Sequence, residues 1–343
     1  MTRRNRGGDD LSVNAAELEE IAATLGRQMI GAGARPGDCV VLVISDPMAF
    51  ACGFWACQAA GLTAVPMPPM GTAVQVERTR AALAVLGRAW ILSEEPAWCD
   101  ALGDVPGVAG TCVITGPRFD SLEASTDCDP AAATLCACDP EAISVIMFSS
   151  GSTGDPKGVE LSHRAILAQV KMLRQALALT ARDCFVNWMP MSHDFGLFHF
   201  HLLPLLCGLP QVLMATDDFS RRPLSWLRTL HDHGGTITGG PNLALQMVSN
   251  LLKPQRAAQL DLSRVRCITL GAEPLDPAVL RSFADRLVPA RLSPGALWPA
   301  YGLAEATLVI SMRAGLQTVH VARQSLDPGQ RAVPLKADDP EAV

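Results

Sequence analysis

Residues 148–163 read Phe-Ser-Ser-Gly-Ser-Thr-Gly-Asp-Pro-Lys-Gly-Val-Glu-Leu-Ser-His, directly after the apolar run Ala142-Ile-Ser-Val-Ile-Met147. The apolar run has the length and composition of a buried strand, and open α/β sheets gather ligands at the C-terminal ends of such strands. There the glycines let successive amides turn toward one point, the hydroxyls add donors and Lys157 adds a positive charge. That chemistry suits the oxygens of a nucleotide triphosphate, which makes Ser149, Ser150, Gly151, Ser152, Thr153, Gly154 and Lys157 candidate phosphate ligands. Two familiar phosphate loops do not fit. The Walker pattern needs Gly before the lysine and Ser or Thr after it, whereas Pro156 and Gly158 stand here. A dinucleotide loop opens straight into a helix, but Val159-Glu-Leu161 intervenes before Ser162 can cap a helix carrying Ile166, Val170, Leu173 and Leu177. Taken alone, a Gly/Ser run of this kind also matches a surface turn with a solvated lysine.

Strands and helices alternate on both sides of this stretch. Asn14 with Glu17 three residues on predicts a helix start, followed by Leu18, Ile21, Leu25 and Met29 at helical spacing. A doubly buried strand is expected over 38–44, and Asp46-Pro47 forms an N-cap and first-turn pair for the next helix. Residues 63–67 read as a strand, 74–86 as a helix, and 89–93 and 111–115 as strands. Further strands are expected at 142–149, 184–189, 211–215, 236–238 and 265–270, with Leu197–Leu206 helical. The alternation predicts a layered α/β fold, with parallel sheets flanked by helices. Periodicity fades over 116–141, where Gly, Pro, Asp, Ala and Cys dominate. The expected organisation is therefore a frayed basic tail (1–13), a first α/β subdomain (14–141), a second carrying the motifs (142–320) and a tail (321–343) leading toward a further subdomain.

The 343 residues can bury two sizeable cores, and 49% hydrophobic with 18% charged residues fits an ordinary globular protein. A net charge of −6 gives no broad surface for tracking nucleic acid. The eleven cysteines include no C-x2-C pair, and Cys136-Ala-Cys138 lacks zinc spacing. Reduced cytoplasmic thiols are expected. The stretch from Pro47 to Val76 is uncharged, but Gln58, Gly61, Pro66, Pro68 and Pro69 divide it, so it reads as a buried helix and a buried strand rather than a membrane span. No G-x-S-x-G elbow supports a serine hydrolase.

The string Ser-Ser-Gly-Ser-Thr-Gly-x-Pro-Lys-Gly resembles the phosphate-binding signature of the adenylate-forming superfamily of acyl-CoA synthetases, luciferases and adenylation domains. Four further motifs follow in that superfamily's order: Trp188-Met-Pro-Met-Ser-His193-Asp194-Phe-Gly196-Leu, Gly239-Gly-Pro-Asn242, Gly271-Ala-Glu-Pro274 and Tyr301-Gly-Leu-Ala-Glu305-Ala-Thr307. The resemblance covers roughly residues 14–335. His-Asp-Phe-Gly-Leu and Tyr-Gly-Leu-Ala-Glu-Ala-Thr look most like the fatty acyl-AMP ligase branch.

The resemblance implies that a carboxylate attacks the α-phosphorus of ATP, giving an acyl adenylate and pyrophosphate, with an acyl carrier protein or coenzyme A as later acceptor. It implies catalytic roles for Lys157, His193 and Glu305, with Glu305 on Mg2+. Adenine would lie against Gly271, Ala272, Glu273, Pro274, Tyr301 and Gly302. The acyl pocket would be lined by Trp188, His193, Asp194, Phe195, Gly240 and Pro241. Asp194 leaves an amino acid open as substrate, because amino-acid-activating relatives pair an aspartate in this neighbourhood with the α-ammonium. Each residue also has a plainer reading: Glu305 as a solvated helix cap, Tyr301 as a half-buried aromatic, and the apolar side chains as core. His193, His199 and His201 do not make a metal cluster on spacing, since i and i+2 diverge on a helix. The superfamily's later ribose-binding aspartate, hinge and small C-terminal domain with its lysine have no counterpart within these 343 residues. Weak ATP binding and poor catalysis by this polypeptide alone are therefore expected unless another chain supplies that domain; the competing reading is a noncatalytic nucleotide- or acyl-binding remnant of the fold, against which the presence of both Lys157 and Glu305 argues.

Overall fold

The apolar runs at 39–43, 63–67 and 89–93 form adjacent strands that are almost wholly buried, as expected of a parallel sheet covered on both faces. The computed structural model describes residues 1–4, 10–116, 119, 121–124, 139–149, 156–327, 329–336 and 339–340. Strands along the first part of the chain are β1 (Thr2–Arg3), β2 (Leu11–Ser12), β3 (Cys39–Val43), β4 (Thr63–Met67), β5 (Ala89–Ser93), β6 (Val108–Thr115), β7 (Ser121–Ala124), β8 (Ile143–Ser149) and β9 (Lys157–Ser162). They are followed by β10 (Phe185–Asn187), β11 (Gln211–Leu213), β12 (Ile237–Gly240), β13 (Cys267–Leu270), β14 (Leu297–Gly302) and β15 (Val309–Met312).

Two mixed sheets result. One has the order β7-β6-β5-β3-β4-β8-β9, and the other β15-β14-β13-β12-β10-β11-β1-β2. The inner strands are parallel, while β7, β9, β15 and β2 close the edges antiparallel. Caps expected from the sequence start the helices. Asn14 and Glu17 form a reciprocal capping box on Ala15–Gly31, Asp46 accepts from the Met48 and Ala49 amides on Pro47–Ala59, and Ser162 accepts from the Ala165 amide on His163–Ala176. Helix Pro47–Ala59 is buried nearly all round because it lies between the sheets. The stretch from Pro47 to Val76 thus forms a buried helix and strand, and among the described residues no helix is long and apolar enough to cross a membrane.

Three local expectations are corrected. The boundary at 141/142 does not separate the sheets: β8 pairs with β4, Ala64 opposite Val145, so 143–162 completes the first sheet. The apolar character of β8 on both faces suits that inner place. Among the described residues of 1–13, Thr2–Arg3 pairs in parallel with Val212–Leu213 and Leu11–Ser12 adds an outer strand, so these residues are ordered by main-chain pairing rather than frayed. Arg3 also reaches Asp46 at 2.5 Å, tying the second sheet to a helix packed on the first. Finally, Leu197–Leu206 is not one regular helix. Phe195–Leu202 is π-helical and a single α-turn, Leu203–Leu206, follows. A wider turn of this kind often marks a functional site.

Candidate active site

The sequence motifs of the second half converge at the C-terminal ends of β10, β12, β13 and β14, the edge at which parallel strands present their loops to ligands. After β12, Pro241 precedes the helix Asn242–Leu251 without providing a side-chain cap. The missing cap is supplied by the loop after β13. Glu273 Oε1 accepts from the Leu243 amide at 2.7 Å, and Asn242 Oδ1 accepts from the Asp276 amide at 3.0 Å. A carboxylate at a helix N-terminus is favourable both as a hydrogen-bond acceptor and against the helix dipole. Gly240–Pro241 and Gly271–Pro274 are therefore held as one unit.

Backbone demands explain the small residues in these loops. A Cβ at Gly271 would lie 2.9 Å from the Ala300 carbonyl oxygen, and one at Gly302 would collide with the Leu308 carbonyl. Ala272 adopts φ +69°, a left-handed conformation that costs a non-glycine residue energy and recurs at binding sites. Beside this turn, Tyr301 lies on β14 opposite Ser311 with 63% of its surface exposed, so its ring face is free to stack. Glu305 sits exposed in the 3-10 turn Ala304–Ala306, which the Leu303 amide closes onto the Leu308 carbonyl at 2.8 Å.

His193 and Asp194 begin the π-helix after β10. The imidazole Nδ1 lies 2.6 Å from Asp194 Oδ1, and the same carboxylate oxygen accepts from the Phe195 amide at 2.7 Å. Hydrogen bonding to Asp194 raises the pKa of the half-exposed imidazole and outweighs the effect of burial. Gly196 fits because a side chain there would collide with the Pro190 carbonyl. Phe195 is buried against His199 and Phe200. The Trp188 ring stacks on Phe219 with centroids 3.7 Å apart, while its indole N–H is buried without a partner among the described residues. Trp188 also lies directly beneath Gly240, where a Cβ would come within 2.8 Å of the indole.

The two remaining histidines of this helix are committed to packing. His199 Nε2 is 3.0 Å from Thr269 Oγ1; His201 bonds Gln211 and accepts from Trp55 Nε1, both at 3.0 Å. Burial lowers their pKa values to about 3 and about 4, so both rings are neutral near pH 7. His231 lies in the last turn of the helix Leu224–His233, and its Nδ1 accepts from the Asp261 amide.

Of the phosphate-loop candidates, Ser150, Gly151, Ser152, Thr153 and Gly154 lie outside the described residues. Ser149 and Lys157 are paired across β8 and β9, with the lysine exposed. The helix following β9 reaches the second sheet through Gln169, whose Nε2 donates to the Val309 carbonyl on β15 at 3.4 Å. Lys157 opens the edge strand β9 that leads into this helix. Sequence reading missed the clamp made by Glu273, Asn242 and Asp276. Its one visible sign was Asp276-Pro277, the same cap-and-first-turn pair as Asp46-Pro47.

A single exposed carboxylate at Glu305 fits a magnesium ion that takes its remaining ligands from phosphate oxygens and water. Among the described residues no group of three or more His, Cys, Asp or Glu converges to make a metal site by itself.

Two sheets flanked by helices, with glycine-shaped loops, an exposed tyrosine and an exposed glutamate on one strand-end edge, define the large domain of an adenylate-forming enzyme. The chain belongs to the AMP-binding enzyme family, which matches residues 5–334. It is 33% identical to a putative acyl-CoA synthetase of Caulobacter vibrioides over 301 residues, covering 87% of this chain and 51% of that protein. It is 32% identical to JamA of Moorena producens, a medium-chain-fatty-acid–[acyl-carrier-protein] ligase, over 59% of this chain and 35% of that one. A solved structure from work on the fatty acyl-adenylate ligases of E. coli and L. pneumophila superposes with a TM-score of 0.86 at 28% identity, covering 98% of this chain and 60% of that one. The chain spans about half the length of the first of these relatives.

Proposed function

We propose that these residues form the nucleotide- and acyl-binding part of an enzyme that activates a carboxylic acid, most favourably a fatty acid, as its acyl adenylate for transfer to an acyl carrier protein. A carboxylate oxygen bonds to the α-phosphorus of ATP; the bond to the bridging oxygen breaks, and pyrophosphate leaves with that electron pair. Both reactants are anions, so holding them in line and neutralising their charge is the main task. Ser149 through Gly154 and Lys157 bind the β- and γ-phosphates in this reading. Gly271–Pro274, Tyr301 and Gly302 hold adenine, and His193 stands between the nucleotide and the acyl group. Trp188, Asp194, Phe195, Gly240 and Pro241 border the acyl side. Glu305 would hold Mg2+, which when bound screens the phosphate charge.

The observation that carries this reading is the clamp joining the 241–243 and 271–276 loops, because it holds together the loops that this reading assigns to the acyl group and to adenine. Asp194 supports a fatty acid over an amino acid, since its carboxylate already bonds His193 and the Phe195 amide. The activity named for the Moorena relative supports the carrier protein as acceptor. The test is calorimetric titration of the 343-residue protein with Mg-ATP, followed by mass-spectrometric detection of acyl adenylate after adding a medium-chain fatty acid. Saturable nucleotide binding and a trapped fatty acyl adenylate are expected. Absence of nucleotide binding would refute the assignment, and an adenylate formed only with amino acids would overturn the fatty-acid reading.

A further inference from the structure

Away from the adenylation loops, a cavity of about 510 Å3 opens between the end of β11, the helices Thr216–Arg221 and Leu224–His233, and Leu251 and Arg256. Among the described residues, Arg4, Arg222, Arg228 and Arg256 line it, with Asp218 as the one lining carboxylate. Asp232 lies behind, shared by Arg4 at 3.1 Å and Arg228 at 2.9 Å. Arg222 and Arg256 are exposed and make no ion pair among the described residues. Counting both carboxylates, the described residues give the cavity an excess of two positive charges, in a chain whose net charge is −6. Such a local concentration opposes its own formation unless an anion offsets it.

Two further features point the same way. The helix Leu224–His233 begins at the cavity wall without a side-chain cap, so its positive end adds to the field there. Ser225, in the first turn of that helix, also lines the cavity, and its hydroxyl is buried without a hydrogen-bond partner among the described residues. A buried hydroxyl of this kind normally finds an acceptor or donor. Guanidinium forks and a buried hydroxyl are together a donor set that binds a tetrahedral oxyanion.

We propose that this cavity binds a phosphate dianion, either free or as the end of a phosphomonoester, at a site separate from the one that takes ATP. The helix Thr216–Arg221 connects the two regions: it contributes Asp218 to the cavity wall and sets Phe219 against Trp188.

The experiment titrates inorganic phosphate and, separately, glycerol 3-phosphate into the Lys157→Ala protein, which removes the lysine proposed to hold ATP phosphates. Saturable binding by either probe is expected. It should weaken about tenfold or more in the Arg222→Gln/Arg256→Gln double variant, as loss of two charge-assisted hydrogen bonds predicts. Tighter binding of glycerol 3-phosphate would identify a phosphomonoester site, and equal binding a site for the free ion. Binding that survives the double substitution, or no saturable binding by either probe, would overturn the proposal. Arg256→Lys, which keeps the charge, checks that any loss reflects the missing guanidinium rather than a folding defect; it should retain part of the affinity. Because the lysine-deficient background is used throughout, failure here leaves the adenylation reading untouched, and failure of that reading leaves this one standing.

Discussion

Glu273 caps the helix Asn242–Leu251, its carboxylate 2.7 Å from the amide of Leu243, thirty residues earlier in the chain. Removing the carboxylate leaves that helix N-terminus without its acceptor. Glu273→Ala should destabilise the protein by about 1 kcal/mol, the usual cost of losing an N-cap, read as a lower urea midpoint at unchanged slope. Glu273→Gln keeps an acceptor and should lose less. The same Ala substitution frees the 271–276 turn, so Mg-ATP affinity should fall with it.

Lys157 and Glu305 are both exposed, and that separates their proposed roles from structural ones. Lys157→Ala should leave thermal unfolding almost unchanged while weakening Mg-ATP binding by roughly 1.5–3 kcal/mol, the range for a hydrogen bond to a charged group. Glu305→Gln should shift the magnesium dependence of binding to higher concentration. Equal nucleotide affinity in wild type and Lys157→Ala would return the lysine to solvent.

The pairing of His193 with Asp194 gives a titration that NMR can follow. The hydrogen bond to Asp194 raises the imidazole pKa above its ordinary 6.5. A raised value means that the pair's contribution to stability is complete below the unfolded pKa and is lost as pH rises through the folded one. Asp194→Asn should bring the histidine ring resonances to a lower midpoint, with only a small effect on stability because the imidazole is half exposed. An unchanged midpoint would show that Asp194 does not set the charge state of the ring.

How much could be read in advance depended on whether a residue's partners were local. Strands at 63–67 and 89–93 appear with the expected ends because burial on both faces writes an unbroken apolar run. Caps at Asn14, Asp46 and Ser162 were legible because cap and helix adjoin. The placement of β8 was not, since its partner β4 lies some eighty residues earlier and the intervening change in composition looked like a boundary. Nor does Phe195–Leu202 announce its wider turn: it is apolar throughout, and a buried α-helix has the same composition. The strand-end motifs could be placed at one edge, but the Glu273 and Asn242 clamp that joins them depends on pairings no short window contains.

The buried pair His199 and His201 fixes how the protein responds to mild acid. Both rings titrate at 6.5 when unfolded, and burial lowers them to about 3 and about 4. The unfolded chain therefore binds more protons below pH 6.5, and stability decreases as pH falls from there toward those lower values. The slope should approach about 1.4 kcal/mol per pH unit for each histidine, since one unit of pKa shift corresponds to that energy. His201→Gln removes one titrating group while keeping a side chain able to meet Gln211 and Trp55. It should be less stable than wild type at pH 7 yet show a shallower decline between pH 6 and 4.5. Urea unfolding across that range, with tryptophan fluorescence as the readout, measures both effects. An identical pH slope in the two proteins would show that His201 is not protonated on unfolding, and that the acid response has another source.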